Sequence, residues 1–311
     1  MRKDILARRY RPAWVAAALA VALAVALSFA PVRTLAGNLL SLFRVHKIQF
    51  VEVNPAQFPD EDALEEAARK FESVMQDQVH VVRDGETQVV DEATVRSLSV
   101  FRVRLPNAVD GDPRITLDPG LHVAMQIDLP RIRTLLTELG YVGVELPDSL
   151  DGAEVRVDFG PSVAAAYGSC GPGGDQGAEA QDTVDPNDRP ERNCTVLLQM
   201  PSPGVSAPSD LDVDQLGRAY LQLLGLSDQE AERFSQRVDW TTTLVVPVPR
   251  AQNLQYQDVR VDGVAGTLIR PPRYNRGGQA YLLTWIKNDI VYALNGSGTT
   301  EDALRIAGSL Q

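Results

Sequence analysis

The chain has 311 residues, of which 44% are hydrophobic and 23% are charged, so it can bury a sizeable core and is not disordered throughout. Its formal net charge is −11, and because five basic residues stand against one acid within residues 1–13, the remainder sums to −15. An acidic surface of this kind excludes nucleic acid as a partner, since neutralising phosphates requires clustered lysine and arginine.

The first element predicted from the sequence is a membrane-spanning helix over residues 13–30. This stretch reads AWVAAALAVALAVALSFA, eighteen residues without a charge, and a helix needs about 20 apolar residues to cross a bilayer. Five basic residues lie within residues 1–12, so this tail is expected in the cytoplasm and the rest of the chain outside the plasma membrane. The alternative is a signal peptide cleaved after Ala36, which would leave a secreted protein.

The residues after this helix predict a short membrane-proximal segment and then a folded domain. Within residues 31–44, leucine and phenylalanine recur at helical spacing, which predicts an amphipathic helix at the membrane surface. Residues 45–53 alternate between apolar and polar side chains and predict a strand. We expect residues 45–311 to form an extracytoplasmic α+β domain, and the sequence leaves open a subdivision of this domain near residues 201–210.

Helices of the folded domain are predicted from apolar spacing and from capping residues. Ser227 followed by Glu230, and Thr299 followed by Asp302, have the spacing in which a hydroxyl and a carboxylate cap the start of a helix. The predicted helices occupy residues 60–78, 91–97, 130–139, 212–224 and 227–234, and a final helix begins after Thr299.

Most strands are predicted as pairs joined by tight turns. Asp84-Gly85 and Asp262-Gly263 are dipeptides that favour two-residue hairpins. Hairpin connections outnumber parallel crossovers, which predicts an α+β fold with a mainly antiparallel sheet and packed helices, preceded by one N-terminal transmembrane helix. The predicted strands occupy residues 79–82, 87–90, 100–105, 163–167, 195–200, 241–249, 258–261, 264–270, 280–286 and 290–296, with two more within residues 141–161.

The chain has two cysteines, Cys170 and Cys194. In an exported domain such a pair predicts a structural disulfide. The residues between them are rich in glycine, proline and acids, and strand-like runs lie on either side, so the bridge would join two neighbouring strands. Two free thiols are the remaining alternative, because a redox or metal pair would need a C-x-x-C spacing or nearby histidines.

No motif in the sequence predicts a catalytic, cofactor or metal site. Each histidine stands without a second ligand or a nucleophile at a recognisable spacing. The repeat Asp210, Asp212, Asp214 could place three carboxylates on calcium, but a calcium loop would need glycine and glutamate where the chain has Gln215 and Leu221. The repeat leads directly into a predicted helix, whose N-terminal dipole favours acids.

Large aromatic side chains are scarce, so Trp240, Trp285 and Tyr292 stand out. Trp240 precedes an apolar strand, while Trp285 and Tyr292 lie on the two strands of the last predicted hairpin. Core packing is the ordinary role of such residues. The alternative is a ligand groove lined by the aromatic side chains on one face of the sheet.

Two regions resemble a known family. The run YLLTWIKNDIVYALNGSGTTEDALRIAGSL is similar to the end of DUF4367, a domain of unknown function in bacterial envelope proteins, in which a tryptophan-bearing hairpin precedes a short helix. Here the matching features are Trp285, Tyr292, the helix after Thr299, and Ser309-Leu310. The run PVRTLAGNLLSLFRVHKIQFVEV is similar to the juxtamembrane part of membrane-bound, anti-sigma-factor-like proteins that carry this domain.

The departures from that family limit what the resemblance implies. Anti-sigma proteins carry a sigma-binding or zinc-binding domain before the membrane helix, whereas about twelve residues without cysteine or histidine precede it here. The resemblance therefore implies an extracytoplasmic sensory or partner-binding module, and it transfers no catalytic residue.

Three functions are compatible with these features. The first is a membrane-anchored binding or regulatory module that recognises an envelope or membrane protein. The second is a lipid- or lipoprotein-handling domain, in which a curved sheet and its helices enclose an apolar groove. The third is an extracytoplasmic hydrolase that uses paired carboxylates.

Overall fold

The computed structural model describes residues 41–53, 69–70, 78–141, 143–170, 194–249, 255–270 and 280–311. The predicted transmembrane helix over residues 13–30 lies outside the described residues. So does the predicted helix over residues 60–78, except for Arg69 and Lys70, which are helical, and Gln78, which is a turn residue. Among the described residues, no helix combines the length and the apolar character that crossing a membrane requires.

Fifteen strands and five α-helices make up the described part of the chain. The strands are β1 (Ser41–Arg44), β2 (Lys47–Val53), β3 (Val79–Arg83), β4 (Gln88–Val90), β5 (Arg114–Asp118), β6 (Leu121–Gln126), β7 (Glu154–Phe159), β8 (Ser162–Gly168), β9 (Cys194–Pro201), β10 (Gly204–Ala207), β11 (Thr243–Pro249), β12 (Gln255–Val261), β13 (Val264–Arg270), β14 (Ala280–Lys287) and β15 (Ile290–Ser297). The helices are α1 (Glu92–Leu98), α2 (Leu129–Glu138), α3 (Val213–Leu223), α4 (Asp228–Ser235) and α5 (Thr300–Gly308).

The chain divides into two compact units, each built from three segments. The chain crosses from one unit to the other at five points. One of them lies between Ser202 and Pro203, within residues 201–210, where the sequence left a subdivision open. Unit 1 comprises Met1–Val82, His122–Asp158 and Pro203–Arg250, and unit 2 comprises Arg83–Leu121, Phe159–Ser202 and Ala251–Gln311.

The described residues of unit 1 contain two sheets and the helices α2, α3 and α4. A five-stranded sheet has the order β1-β10-β7-β6-β3, and a separate parallel pair joins β2 to β11. Its core includes Trp240, which is fully buried and donates a hydrogen bond from Nε1 to Ser235 Oγ at 2.7 Å. Gly217 of α3 lies directly against the indole, because a Cβ at that position would come within 2.2 Å of the ring. Glycine is therefore what allows α3 to pack on this tryptophan.

Unit 2 contains an eight-stranded antiparallel sheet in the order β12-β13-β14-β15-β9-β8-β5-β4. Helix α5 packs its buried residues Ala303, Ile306 and Ala307 into the same apolar cluster as Leu283 and Leu294 of the sheet. The Thr299 hydroxyl and the Asp302 carboxylate cap the start of this helix, as the sequence predicts. The α+β class and the mainly antiparallel arrangement are confirmed.

The predicted hairpin around Asp84-Gly85 is wrong. Strand β3 belongs to the five-stranded sheet, whereas β4 pairs with β5 in the eight-stranded sheet. The Asp84 amide donates to the carbonyl of Gly120 at 3.2 Å, in the connection between β5 and β6. An aspartate–glycine pair specifies a change of direction, but the partner of each strand is set by long-range pairing.

Residues 100–105 do not form the predicted strand. At Arg104 a side chain bonds to the backbone, because Arg104 N donates to Gln199 Oε1 at 2.9 Å and Gln199 Nε2 donates to the carbonyl of Arg104 at 2.8 Å. The neighbouring amide of Leu105 donates to the carbonyl of Gln311 at 3.2 Å. A fully buried glutamine thus satisfies both backbone groups of Arg104 in place of a neighbouring strand.

Two further predictions need correction. Residues 31–44 are predicted as an amphipathic helix, but their described part, Ser41–Arg44, is a strand paired with β10. Of the two strands predicted within residues 141–161, β7 forms, whereas the described residues 143–147 belong to no strand. Gly140 and Gly143 adopt positive φ angles of 83° and 91°, values typical of turns rather than strands.

Candidate functional site

The predicted disulfide between Cys170 and Cys194 is present. Cys194 is the first residue of β9 and pairs with Gly168 at the end of β8. The bridge therefore joins two neighbouring strands of unit 2, where the sequence predicts it. The residues between the cysteines lie outside the described part of the chain.

The three conspicuous aromatic residues lie in the cores of the two units. Trp240 belongs to unit 1 and is 0% exposed. Trp285 and Tyr292 belong to unit 2, are 2% and 3% exposed, and stack with ring centroids 5.0 Å apart. All three side chains are buried in the described structure. A role for them in a groove stays a prediction.

A charged network that the sequence did not predict surrounds Asp262 in unit 2. Both guanidinium nitrogens Nη1 and Nη2 of Arg104 bind the carboxylate, and Lys287 Nζ donates to its Oδ1 and to the Asp262 carbonyl, each at 2.7 Å. Arg104 Nη2 also donates to the carbonyl of Leu310 at 2.9 Å. The side chains of Arg104 and Asp262 are 19% and 10% exposed. Every charge in this network has a protein partner, which indicates a structural role.

The network also sets the ionisation of its members. Partial burial alone would raise the pKa of the Asp262 carboxyl, but hydrogen bonds from Arg104 and Lys287 outweigh it and hold this pKa below its ordinary value. The hydrogen bond to Asp262 raises the pKa of the Arg104 guanidinium against the opposing effect of burial. Asp262 has a φ of 50°, so the network holds the β12–β13 turn in a conformation that is uncommon outside glycine.

A polar cleft of about 920 Å³ lies in unit 1 between α3, α4 and the chain that follows α2. Eight of its ten lining residues are polar or charged, and both signs of charge are present. The lining residues are Gly143, Glu145, Gln215, Arg218, Gln222, Asp228, Gln229, Ala231, Glu232 and Arg233.

The two helices that form the cleft begin where the sequence predicts. Asp212 caps α3 by accepting from the amide of Gln215 at 2.9 Å, which accounts for one acid of the aspartate repeat. Ser227 and Glu230 form a capping box at the start of α4. Within the described residues, no group of three His, Cys, Asp or Glu side chains could hold a metal ion.

One face of α3 is buried and the other supplies the cleft. Leu216 and Tyr220 point into the core of unit 1, whereas Gln215, Arg218 and Gln222 line the cleft. These three positions are separated by three and four residues, so they lie along one side of the helix. The amphipathic pattern of α3 is visible in the sequence, but it does not indicate a cleft, because the polar face of a helix is ordinarily only a solvated surface.

The polar groups of the cleft are paired to different degrees. Arg218 Nε lies 3.5 Å from Glu232 Oε2, and its terminal nitrogens form no hydrogen bond with the residues that the structure describes. Glu232 also accepts at Oε1 from Gln236 Nε2 at 2.9 Å. Gln222 donates to Asp228 at 2.9 Å. The guanidinium of Arg218 is therefore held in the cleft by one long ion-pair contact.

Comparisons of the chain with protein-family models, with curated proteins and with solved structures gave no match. The resemblance to DUF4367 stays a prediction.

Proposed function

We propose that the chain is a membrane-anchored, extracytoplasmic binding or regulatory module, and that the polar cleft of unit 1 receives a protein partner of the cell envelope. The observation that carries this proposal is the cleft itself, in which polar side chains line a concavity large enough for several residues of another chain. The anchor rests on the sequence of residues 13–30 and supplies the location rather than the binding site.

The character of the lining favours a polar partner over a lipid. An acyl chain gains free energy by leaving water for an apolar surface, and each CH₂ group contributes about 0.8 kcal/mol. In the cleft, Ala231 and Gly143 are the lining residues without a polar side chain. A lipid would therefore recover little of that free energy here, whereas amide and charged groups can bind a polypeptide directly.

The same lining offers a weaker basis for hydrolysis. Glu145, Asp228 and Glu232 all reach the cleft, but Asp228 accepts a hydrogen bond from Gln222, and Glu232 contacts Arg218 and Gln236. Carboxylates engaged in this way contribute to the shape and charge of the cleft. A binding function needs no further group, so it is the function that the geometry supports best.

Site-specific photo-crosslinking in intact membranes tests the proposal. A photoreactive residue replaces Gln229, which is exposed and lines the cleft, and the control places it at Arg237, which is exposed and follows α4 outside the lining. We expect one envelope protein, identified by mass spectrometry, to be captured saturably from position 229 and not from position 237. Equal capture from both positions, or a lipid as the sole adduct at position 229, would overturn the proposal.

A further inference from the structure

We infer that the cleft recognises an extended acidic peptide segment, and that Arg218 is the residue that binds its carboxylate. This inference rests on the proposed function, since it names the chemistry of the partner at the same cleft. It follows from three observations on the cleft: the row of side chains on α3, the loose ion pair of Arg218, and the acids among the lining residues.

The row of Gln215, Arg218 and Gln222 matches an extended peptide in length and in hydrogen-bonding groups. Seven residues of helix span about 10.5 Å, and an extended chain rises about 3.3 Å per residue, so the row faces about three peptide residues. The carboxamide nitrogen of Gln215 donates to the carbonyl of Glu145 at 3.5 Å, and that of Gln222 donates to Asp228 at 2.9 Å. The carboxamide oxygen of each glutamine can therefore accept an amide of the peptide backbone on either side of the arginine.

The loose ion pair makes Arg218 available to a ligand. Its nearest carboxylate, Glu232, lies 3.5 Å away and already accepts from Gln236. The side chains of Arg218 and Glu232 are 36% and 48% exposed, so the pair itself contributes little to stability. A carboxylate that meets the terminal nitrogens of Arg218 would form two parallel charge-assisted hydrogen bonds, which are shorter and stronger than the existing contact.

The acidic lining residues distinguish a carboxylate from a more highly charged anion. Glu145 and Asp228 line the cleft together with Glu232, and like charges in one site repel. A phosphate close to two negative charges meets more of this repulsion than a carboxylate with one. The chemistry that fits is a single negative charge flanked by peptide amides.

The test measures the binding of two matched peptides to the full chain in lipid nanodiscs. The peptides are acetyl-Ala-Ala-Glu-Ala-Ala-amide and the analogue with glutamine at the centre, and inorganic phosphate forms a separate arm. We expect the glutamate peptide to bind about tenfold more tightly than its analogue, since a hydrogen bond to a charged group is worth more than a neutral one. Arg218→Gln should abolish this difference, and Arg237→Gln should preserve it.

Three results would overturn the inference. They are equal binding of the two peptides or no binding at millimolar concentration, a preference for glutamate that survives Arg218→Gln, and binding of phosphate as tight as that of the glutamate peptide. Photo-crosslinking from position 229 separates this failure from that of the proposed function. Capture of the partner that persists unchanged in Arg218→Gln overturns the acidic-peptide inference alone, whereas absence of capture in the wild-type chain overturns the binding function.

Discussion

The two units of the chain use arginine in opposite ways. In unit 2, Arg104 is mostly buried, binds the carboxylate of Asp262 through two nitrogens and donates to the carbonyl of Leu310. In unit 1, Arg218 is more exposed, and its closest carboxylate is that of Glu232 at 3.5 Å. The guanidinium group is the same in both places. In Arg104 its terminal nitrogens are hydrogen-bonded within the protein, whereas in Arg218 they are available to a ligand.

This difference separates a structural role from a binding role on physical grounds. A buried donor that loses its partner incurs the full cost of desolvation, so the substitution of either partner destabilises the fold. An exposed donor without a firm partner contributes little to folding and can bind a ligand at low cost. Substitutions in unit 2 should therefore change the free energy of unfolding, and substitutions in the cleft should change binding.

The largest effect on stability is expected from removal of the disulfide. Replacing Cys170 and Cys194 with serine opens a bridge with a sequence separation of 24 residues, which should cost about 3.5 kcal/mol on the loop-entropy model. Urea denaturation of the full chain in nanodiscs measures this cost. A loss below about 1 kcal/mol would show that the bridge does not hold β8 and β9 together, and peptide binding to the cleft of unit 1 serves as the control.

The charged network should give the next largest effect. Arg104→Gln leaves Asp262 with Lys287 as its remaining cationic partner, and because the site is only partly exposed we expect a loss of about 2–3 kcal/mol. The matched control is Arg218→Gln, which removes the same group from the cleft. If both substitutions change the free energy of unfolding by the same amount, the two arginines do not differ in their structural role.

The acid dependence of stability should report on Asp262. Its folded-state pKa lies below the ordinary value of 3.8, so its contribution is present above the unfolded pKa and is lost as the pH falls through the folded value. Asp262→Asn should lower stability at pH 7 by about 2 kcal/mol, and the gap to the wild type should narrow below about pH 4. Unfolding curves across this pH range measure the difference in the free energy of unfolding between the wild type and the variant. A difference independent of pH would contradict a stabilising role for the ionised Asp262.

The smallest effect on stability is expected in the cleft. Arg218→Gln should change the free energy of unfolding by less than about 0.5 kcal/mol, because the substitution removes a solvent-exposed ion pair. The same urea denaturation measures this change, and Arg237→Gln serves as the control variant. A loss of about 2 kcal/mol or more would assign Arg218 to the structure of unit 1 and remove the basis for a binding role.

The sequence predicted the elements whose signals are local. The helices α3, α4 and α5 begin at capping residues, and the β12–β13 and β14–β15 hairpins surround turns that the residues specify. The disulfide was predicted because its two cysteines flank strand-like runs. The residues that determine the helix starts and the hairpins lie within a few positions of one another. The disulfide could be predicted because the chain has only two cysteines.

The sequence could not predict features that depend on long-range partners. Asp262 reads as a turn residue, and nothing near it indicates that Arg104, 158 residues away, binds its carboxylate. Strands β5, β6 and β10 were missed, and β3 and β4 were joined in error, because strand pairing is decided by packing across the sheet. The cleft could not be predicted from the sequence, because a polar helix face reads as a solvated surface until the relative positions of α3 and α4 are known.

The most direct test of the binding role is photo-crosslinking from position 229 in intact membranes, with the acidic peptide added as a competitor. We expect that one envelope protein is captured, that the glutamate peptide displaces it more effectively than the glutamine peptide, and that Arg218→Gln weakens capture without loss of fold. Capture that is equal from position 237, or no capture of a protein from position 229, would contradict this expectation.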